Sequence, residues 1–189
     1  MNNTSVSGER RPNIKRPSKD DYYLDIAKAV AARATCMRRK FGAIIVKDDT
    51  IVSTGYNGSA RGVINCTESG CLKDEVNAPH YSAYEFCPAV HAEENVVINA
   101  ARNGGSVLGG TLFIHGEYPN GGLSAAMPCD RCKRAIINAG IETVVIRKSD
   151  GSVERVKTSD WIRDDSWSYM LQLQEARMKK SQKTAQDVF

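Results

Sequence analysis

The chain contains no long apolar run. Nothing in its 189 residues approaches the roughly 18 consecutive apolar residues of a membrane span, so no membrane partner is expected. The N-terminal segment is polar and basic and has no apolar h-region, so a secretory signal is not expected there and the chain reads as cytoplasmic. There are no internal repeats. Nor does the body of the chain carry a basic stripe. The net charge is +4, but the excess sits at the two ends. Arg10, Arg11, Lys15, Arg16 and Lys19 are opposed only by Glu9, and Arg177, Lys179, Lys180 and Lys183 only by Glu175 and Asp187. The segment between is slightly acidic, whereas a polynucleotide binder carries its positive charge on the folded domain. A nucleic-acid partner is therefore not expected.

What is present supports one globular domain, since a hydrophobic content of 41% is enough for a core at this length. The six cysteines suit thiolate ligands in a cytosolic enzyme better than a disulfide framework. Residues 1–18, rich in Asn, Ser, Arg and Pro, read as disordered or loosely attached. Ser18 with Asp21 forms a capping arrangement, and Tyr23, Ile26, Ala27, Val30 and Ala31 mark an amphipathic helix to about Thr35. F-G-A-I-I-V is a buried strand, Asp48-Asp49 turns it, and T-I-V-S-T-G returns beside it. Residues 56–88 are irregular, and a long loop in a compact enzyme is functional or held by something. Strands follow at T-L-F-I-H-G, E-T-V-V-I-R and G-S-V-E-R-V, with a surface loop over residues 117–126. The domain proper runs over 19–157. Ser159-Asp160 opens a C-terminal helix within 158–189, whose Trp161 and Trp167 pack on the core or on a neighbouring subunit. Alternating helices and strands imply a sheet with helices against its faces.

The chemistry concentrates between His91 and Cys132. V-H-A-E-E-N-V-V-I-N-A-A-R opens that stretch and M-P-C-D-R-C-K-R-A-I-I-N-A-G-I closes it. His91, Cys129 and Cys132 are three zinc-type ligands, and Glu93 lies two residues after the histidine. A C-x-x-C alone also suits a structural zinc knuckle or a redox pair, and a lone His-x-Glu is common by chance. Local context separates these readings. Val90, Val97, Ile98 and Ala101 place His91 and Glu93 near a helix start, while Pro128 and the run Ala135, Ile136, Ala139 to Gly140 do the same for the cysteines. Helix N-termini favour thiolates. One imidazole and two thiolates hold zinc with a fourth position open for water, whose pKa the metal lowers. An adjacent carboxylate can take the water's proton and pass it on.

H-x-E…P-C-x-x-C is the signature of zinc-dependent nucleobase deaminases. With G-Y-N-G-S-A-R-G from Gly55 to Gly62 after the first strand pair, the chain resembles the deoxycytidylate (dCMP) deaminase branch of the cytidine deaminase-like family over roughly residues 20–148. The resemblance implies a three-layer α/β fold, with a central mixed sheet of about five strands and helices on both faces. It implies hydrolysis of dCMP to dUMP and ammonia with catalytic Zn2+, supplying thymidylate synthesis. By the same resemblance Glu93 shuttles protons, Asn57 contacts the sugar, Ala92 offers backbone contacts near the base, and the Cys129 N–H helps the intermediate. Ser59 and Arg61 are candidates for the 5′-phosphate, Arg61 because a guanidinium pairs bidentately with phosphate. A homo-oligomer, commonly a hexamer, activated by dCTP and inhibited by dTTP, is also implied. Two features depart from the pattern: the long link H-G-E-Y-P-N-G-G-L-S-A-A-M, and Ile146 where the family often has an aromatic residue. His115, at the end of its strand, reads as a surface or packing residue, with a pocket-facing position as the alternative.

Two other classes remain open at this level. One is a deaminase of another cytosine nucleotide or of a base in RNA or DNA; the other is a non-catalytic zinc-binding protein on the same scaffold, against which Glu93 argues. Four cysteines are left over by catalysis: Cys36, Cys66, Cys71 and Cys87. The long loop lacks an apolar core and needs a tether, and a Cys₄ tetrahedron is a closed structural zinc site. Some members of the resembled family carry such a second zinc. A second, structural Zn2+ on these four residues is therefore expected, with His80 in reserve for Cys71.

Overall fold

The computed structural model describes residues 15–79 and 82–186, with side chains to Ser181. Most of the segment expected to be loosely attached lies outside the described residues, as does His80. In chain order, α1 (Lys19–Ala31) leads into β1 (Lys40–Lys47), β2 (Thr50–Tyr56) and the two-residue β3 (Gly58–Ser59). Single-turn helices α2 (Cys66–Ser69) and α3 (Leu72–Glu75) and a 3-10 turn (Tyr84–Phe86) precede β4 (Ala89–Val90) and α4 (Ala92–Arg102). Then come β5 (Thr111–Glu117), α5 (Asp130–Asn138), β6 (Thr143–Arg147), β7 (Val153–Lys157) and α6 (Thr158–Gln186).

Local chemistry sets several of these boundaries. The Ser18 hydroxyl accepts the Asp21 N–H at 3.0 Å and donates to the Asp21 carboxylate at 2.7 Å, which starts α1 as its sequence implies. The helix stops at Ala31, short of Thr35. Arg33 and Ala34 close tighter i−3 turns, and the Thr35 N–H is drawn instead to the Asn57 carbonyl at 3.2 Å. Asp48 and Asp49 both take left-handed φ, 49° and 61°, as a two-residue hairpin turn requires.

The central sheet has five strands in the order β2-β1-β5-β6-β7. Only β5 and β6 pair in parallel; the other neighbours are antiparallel. Alternation sorts the strand residues between two faces. Ala43, Ile45, Leu112, Ile114, Val144 and Ile146 pack with Ala92, Val96 and Ala100 of α4 and Cys132 and Ile136 of α5. Ile44, Val46, Phe113 and Val145 pack with Tyr23, Leu24 and Ala27 of α1. With both faces covered, the inner strands read as continuous apolar runs. This is the mixed five-stranded, three-layer arrangement expected.

One further reading of the sequence needs correction. The stretch after β5 is only partly a surface loop: Glu117 bridges Leu123, the Ser124 N–H returns to the Gly116 carbonyl at 3.0 Å, and Ser124 and Ala126 are buried. In the C-terminal helix, expected to pack on the core or on a neighbouring subunit, Trp161 is buried in the core, while Trp167 is 70% exposed, and Tyr169, Met170 and Leu171 are exposed with it.

Candidate active site

The loop after β2 and the start of α4 are brought together by β3 and β4, which pair Gly58 with Val90 and Ser59 with Ala89. This short ladder sets the G-Y-N-G turn beside His91. Behind it, α4 lies directly on β2. A Cβ on Gly55 would fall against the Val96 nitrogen and 2.8 Å from the Ala92 carbonyl oxygen, so only glycine allows this approach. The edge strand's outward carbonyls are satisfied by the helix: the Asn95 amide donates to the Tyr56 carbonyl at 2.7 Å and the Asn99 amide to the Thr54 carbonyl at 2.8 Å. Ser53 donates to the Val96 carbonyl at 2.8 Å.

His91 is the N-cap of α4 and Cys129 the N-cap of α5, so both ligand groups stand at helix N-termini. Glu94 ties the two together. Its carboxylate accepts the His91 backbone N–H at 3.3 Å and pairs with Arg131 of α5 at 2.8 Å. The His91 Nδ1 atom lies 3.6 Å from Cys129 Sγ and 3.3 Å from Cys132 Sγ. Tetrahedral zinc with bonds of about 2.0 Å to nitrogen and 2.3 Å to sulfur sets this edge near 3.6 Å, so the three donors fit the ion. Their protonation chemistry agrees. Burial, with the charges of Glu93 and Cys129 after it, pushes the Cys132 thiol well above its ordinary value, and a bound dication is what would make such a thiol a thiolate. Among the described residues, this is the group of three or more His, Cys, Asp or Glu whose ligand atoms gather within 4.8 Å of one another.

Glu93, on the first turn of α4, is 7% exposed and lines the cavity that opens over His91 and Cys129. Burial pushes its carboxyl above the usual carboxylate range, which suits a group that must hold and release a proton near neutral pH. Among the described residues, no other carboxylate lines this cavity.

Residues 17–148 match the family described as the cytidine and deoxycytidylate deaminase zinc-binding region. The chain belongs to this family. The match holds all three donors and Glu93. A deoxycytidylate deaminase of Mycobacterium phage D29 is 38% identical over 140 residues, covering 71% of this chain and 98% of the phage protein. The deoxycytidylate deaminase of Schizosaccharomyces pombe is 33% identical over 138 residues, covering 73% of this chain but only 39% of the yeast protein. In the crystal structure of a dCMP deaminase from cyanophage S-TIM5 in complex with dCMP and dUMP, 85% of that chain aligns with 71% of this one, with a TM-score of 0.53 and 26% identity.

Among the other site residues expected of a family member, Ala92 and Asn57 line the cavity. The Asn57 side chain is also structural: Oδ1 accepts the Phe41 N–H at 2.8 Å and Nδ2 donates to the Arg39 carbonyl at 3.0 Å. The phosphate candidates lie elsewhere. Arg61 donates to Asn99 Oδ1 at 2.6 Å on the exposed side of α4, and Ser59 keeps its hydroxyl buried without a partner; neither lines the cavity. Cys36, Cys66, Cys71 and Cys87 all line the cavity, but among the described residues no three of their sulfurs come within 4.8 Å of one another. His115 is buried and alternates with Ile114 onto the α1 face, away from the cavity. Ile146 is core and likewise does not line it.

Beside the apolar Phe41, Ala89, Ala125 and Met127, sequence reasoning missed four polar residues of the cavity wall: Arg38, Arg39, Lys73 and Tyr84. The Tyr84 ring centroid lies 6.3 Å from that of His91, with the Lys73 ammonium 4.8 Å and the Arg131 guanidinium carbon 5.9 Å from it. A run of basic residues after Cys36 was the available signal, but nothing local distinguishes it from a solvated turn.

Proposed function

We propose that this chain hydrolyses dCMP to dUMP and ammonia. The observation that carries the reading is the buried Glu93 carboxyl in a cavity wall shared with His91 and Cys129, beside Cys132. The family, the names of its relatives and the dCMP and dUMP held by the cyanophage enzyme point to the same reaction. His91, Cys129 and Cys132 would hold zinc, which when bound supplies a Lewis acid that makes water nucleophilic near neutral pH. Glu93 takes a proton from the attacking water, gives it to N3 of cytosine and later protonates the departing amine. Ala92 and the Cys129 N–H hold the base through the backbone, and the second amide hydrogen of Asn57 faces the sugar. Phe41, Ala125 and Met127 give the cavity an apolar side on which the ring can rest. Zinc-loaded protein assayed by ultraviolet absorbance against dCMP, dCTP, deoxycytidine and cytidine should deaminate dCMP with the highest kcat/KM. Loss of absorbance with none of the four would refute the reading.

The same proposal extends to a second, structural zinc on Cys36, Cys66, Cys71 and Cys87. In its favour, all four line one cavity, and burial, then Cys71, Cys36 and Cys87, push the Cys66 thiol up; a cation would relieve that cost. Metal analysis should give two zinc ions per chain, and Cys66→Ser should lose one without losing the catalytic ion. One ion in metal-replete wild type would overturn it. By family likeness, the enzyme assembles as a homo-oligomer, a hexamer being the expected form. It answers to dCTP and dTTP and works in the cytoplasm, where its product feeds thymidylate synthesis.

A further inference from the structure

We propose that Lys73 binds the 5′-phosphate of the nucleotide and so selects the phosphorylated substrate over the nucleoside. The inference rests on the deaminase reading above and names a residue that the sequence did not suggest. Among the described residues, three cations, Arg38, Arg39 and Lys73, line the cavity with one carboxylate, Glu93. Cations in excess of carboxylates attract an anion, and a Cys₄ zinc site in the same wall would offset two of these charges. Two of the three cations already have partners. Arg38 Nε lies 3.2 Å from Asp74 Oδ1, and the Arg39 guanidinium carbon lies 5.3 Å from the centroid of the Tyr118 ring.

Lys73 differs. It is 8% exposed, and its ammonium meets the Tyr84 ring at 4.8 Å. Among the described residues, no carboxylate is within ion-pair reach of it. A ring face attracts the charge but cannot accept three N–H donors as oxygen does, and burying an ammonium without an anion is costly. An incoming phosphate supplies those acceptors. The location is also right. Lys73 and His91 both approach the Tyr84 ring, the ammonium at 4.8 Å and the imidazole centroid at 6.3 Å from its centroid, so the cation stands on the same side of the cavity as the metal donors. The neighbouring Asp74 anchors α3 to Arg38 and so fixes the backbone from which Lys73 reaches inward.

The test compares kcat/KM for dCMP and deoxycytidine in wild type, Lys73→Met and Lys73→Arg, each with its zinc content measured because Cys71 is close by. Loss of a charge-assisted contact should lower kcat/KM for dCMP at least about ten-fold more than for deoxycytidine. The loss should fall mainly on KM, and Lys73→Arg should recover most of it. Inorganic phosphate should compete with dCMP in the wild type. Equal losses on both substrates at unchanged zinc content, or an intact dCMP preference in Lys73→Met, would overturn the proposal while leaving the deaminase reading standing. If Lys73→Met does not fold, Lys73→Gln and phosphate competition decide, and absence of competition overturns it. Wild type that deaminates neither substrate would refute the deaminase reading itself, and the inference with it.

Discussion

Gly55→Ala tests the contact that positions the catalytic helix. The added Cβ would lie 2.8 Å from the Ala92 carbonyl oxygen and closer still to the Val96 nitrogen. Both are backbone atoms of α4, so no side-chain rotation relieves the clash. Ordinary contact needs about 3.5 Å, and the helix must therefore retreat from β2 by about 0.7 Å or more. Overpacking of this kind costs about 1–3 kcal/mol, which for a domain of this size lowers Tm by about 2–12 °C. The retreat carries His91 and Glu93 with it, since both stand on the first turn of α4 or at its cap. A misplacement near 1 Å can cost about 100-fold in rate, so activity should fall more steeply than stability. Circular dichroism melts and dCMP turnover at a temperature well below Tm measure the two effects separately. Gly122→Ala is the control: Gly122 is exposed, has no left-handed φ, and its Cβ would meet only side chains, Asn120 at 3.3 Å and Tyr118 at 3.9 Å. Gly55→Ala with the Tm and turnover of the wild type would show that β2 and α4 are not in such contact.

Further outcomes follow from the site and the core. Glu93→Gln keeps the shape and zinc content of the site but leaves no carboxylate in the cavity wall; turnover should fall by about 10² to 10⁴-fold, and a residual above about a tenth of wild type would remove Glu93 from proton transfer. Cys132→Ser should lose the catalytic zinc by metal analysis together with activity, because the buried sulfur is one of the three donors gathered among the described residues; full zinc retention would refute its role as ligand. Burial holds the His115 imidazole below its ordinary value, so the unfolded chain takes up its proton first as pH falls. Its contribution is complete above about pH 6.5 and is lost below it. The urea midpoint should drop more between pH 7.5 and 5.5 in wild type than in His115→Asn, and equal drops would refute the assignment.

Much of this protein was legible locally. The β1–β2 hairpin could be read because a short apolar run and two adjacent aspartates are properties of contiguous residues. The α1 cap was readable for the same reason, being closed within four residues by Ser18 and Asp21. The metal donors were legible because His91 and Glu93, and Cys129 and Cys132, are each fixed by their own helix turn; only the meeting of the two turns is tertiary, and Glu94 with Arg131 records it. Alternation shows that His115 points opposite to Ile114, but which face meets α1 and which meets α4 depends on how distant helices pack. Trp161 and Trp167 share one helix, and only contact with α5 and the sheet buries the first and leaves the second in solvent. The contact of Arg61 with Asn99 Oδ1 at 2.6 Å, on a helix 38 residues away in the chain, was not legible in the sequence. Lys73 had no distinguishing mark, because a lysine in a short polar turn is ordinarily solvated. Its burial is created by Tyr84, eleven residues further along the chain, and by the cavity they both line. Sequence alone determined the chemistry that local spacing encodes, and tertiary structure decided which charges share an enclosed space, because electrostatic environment depends on neighbours that no local window contains.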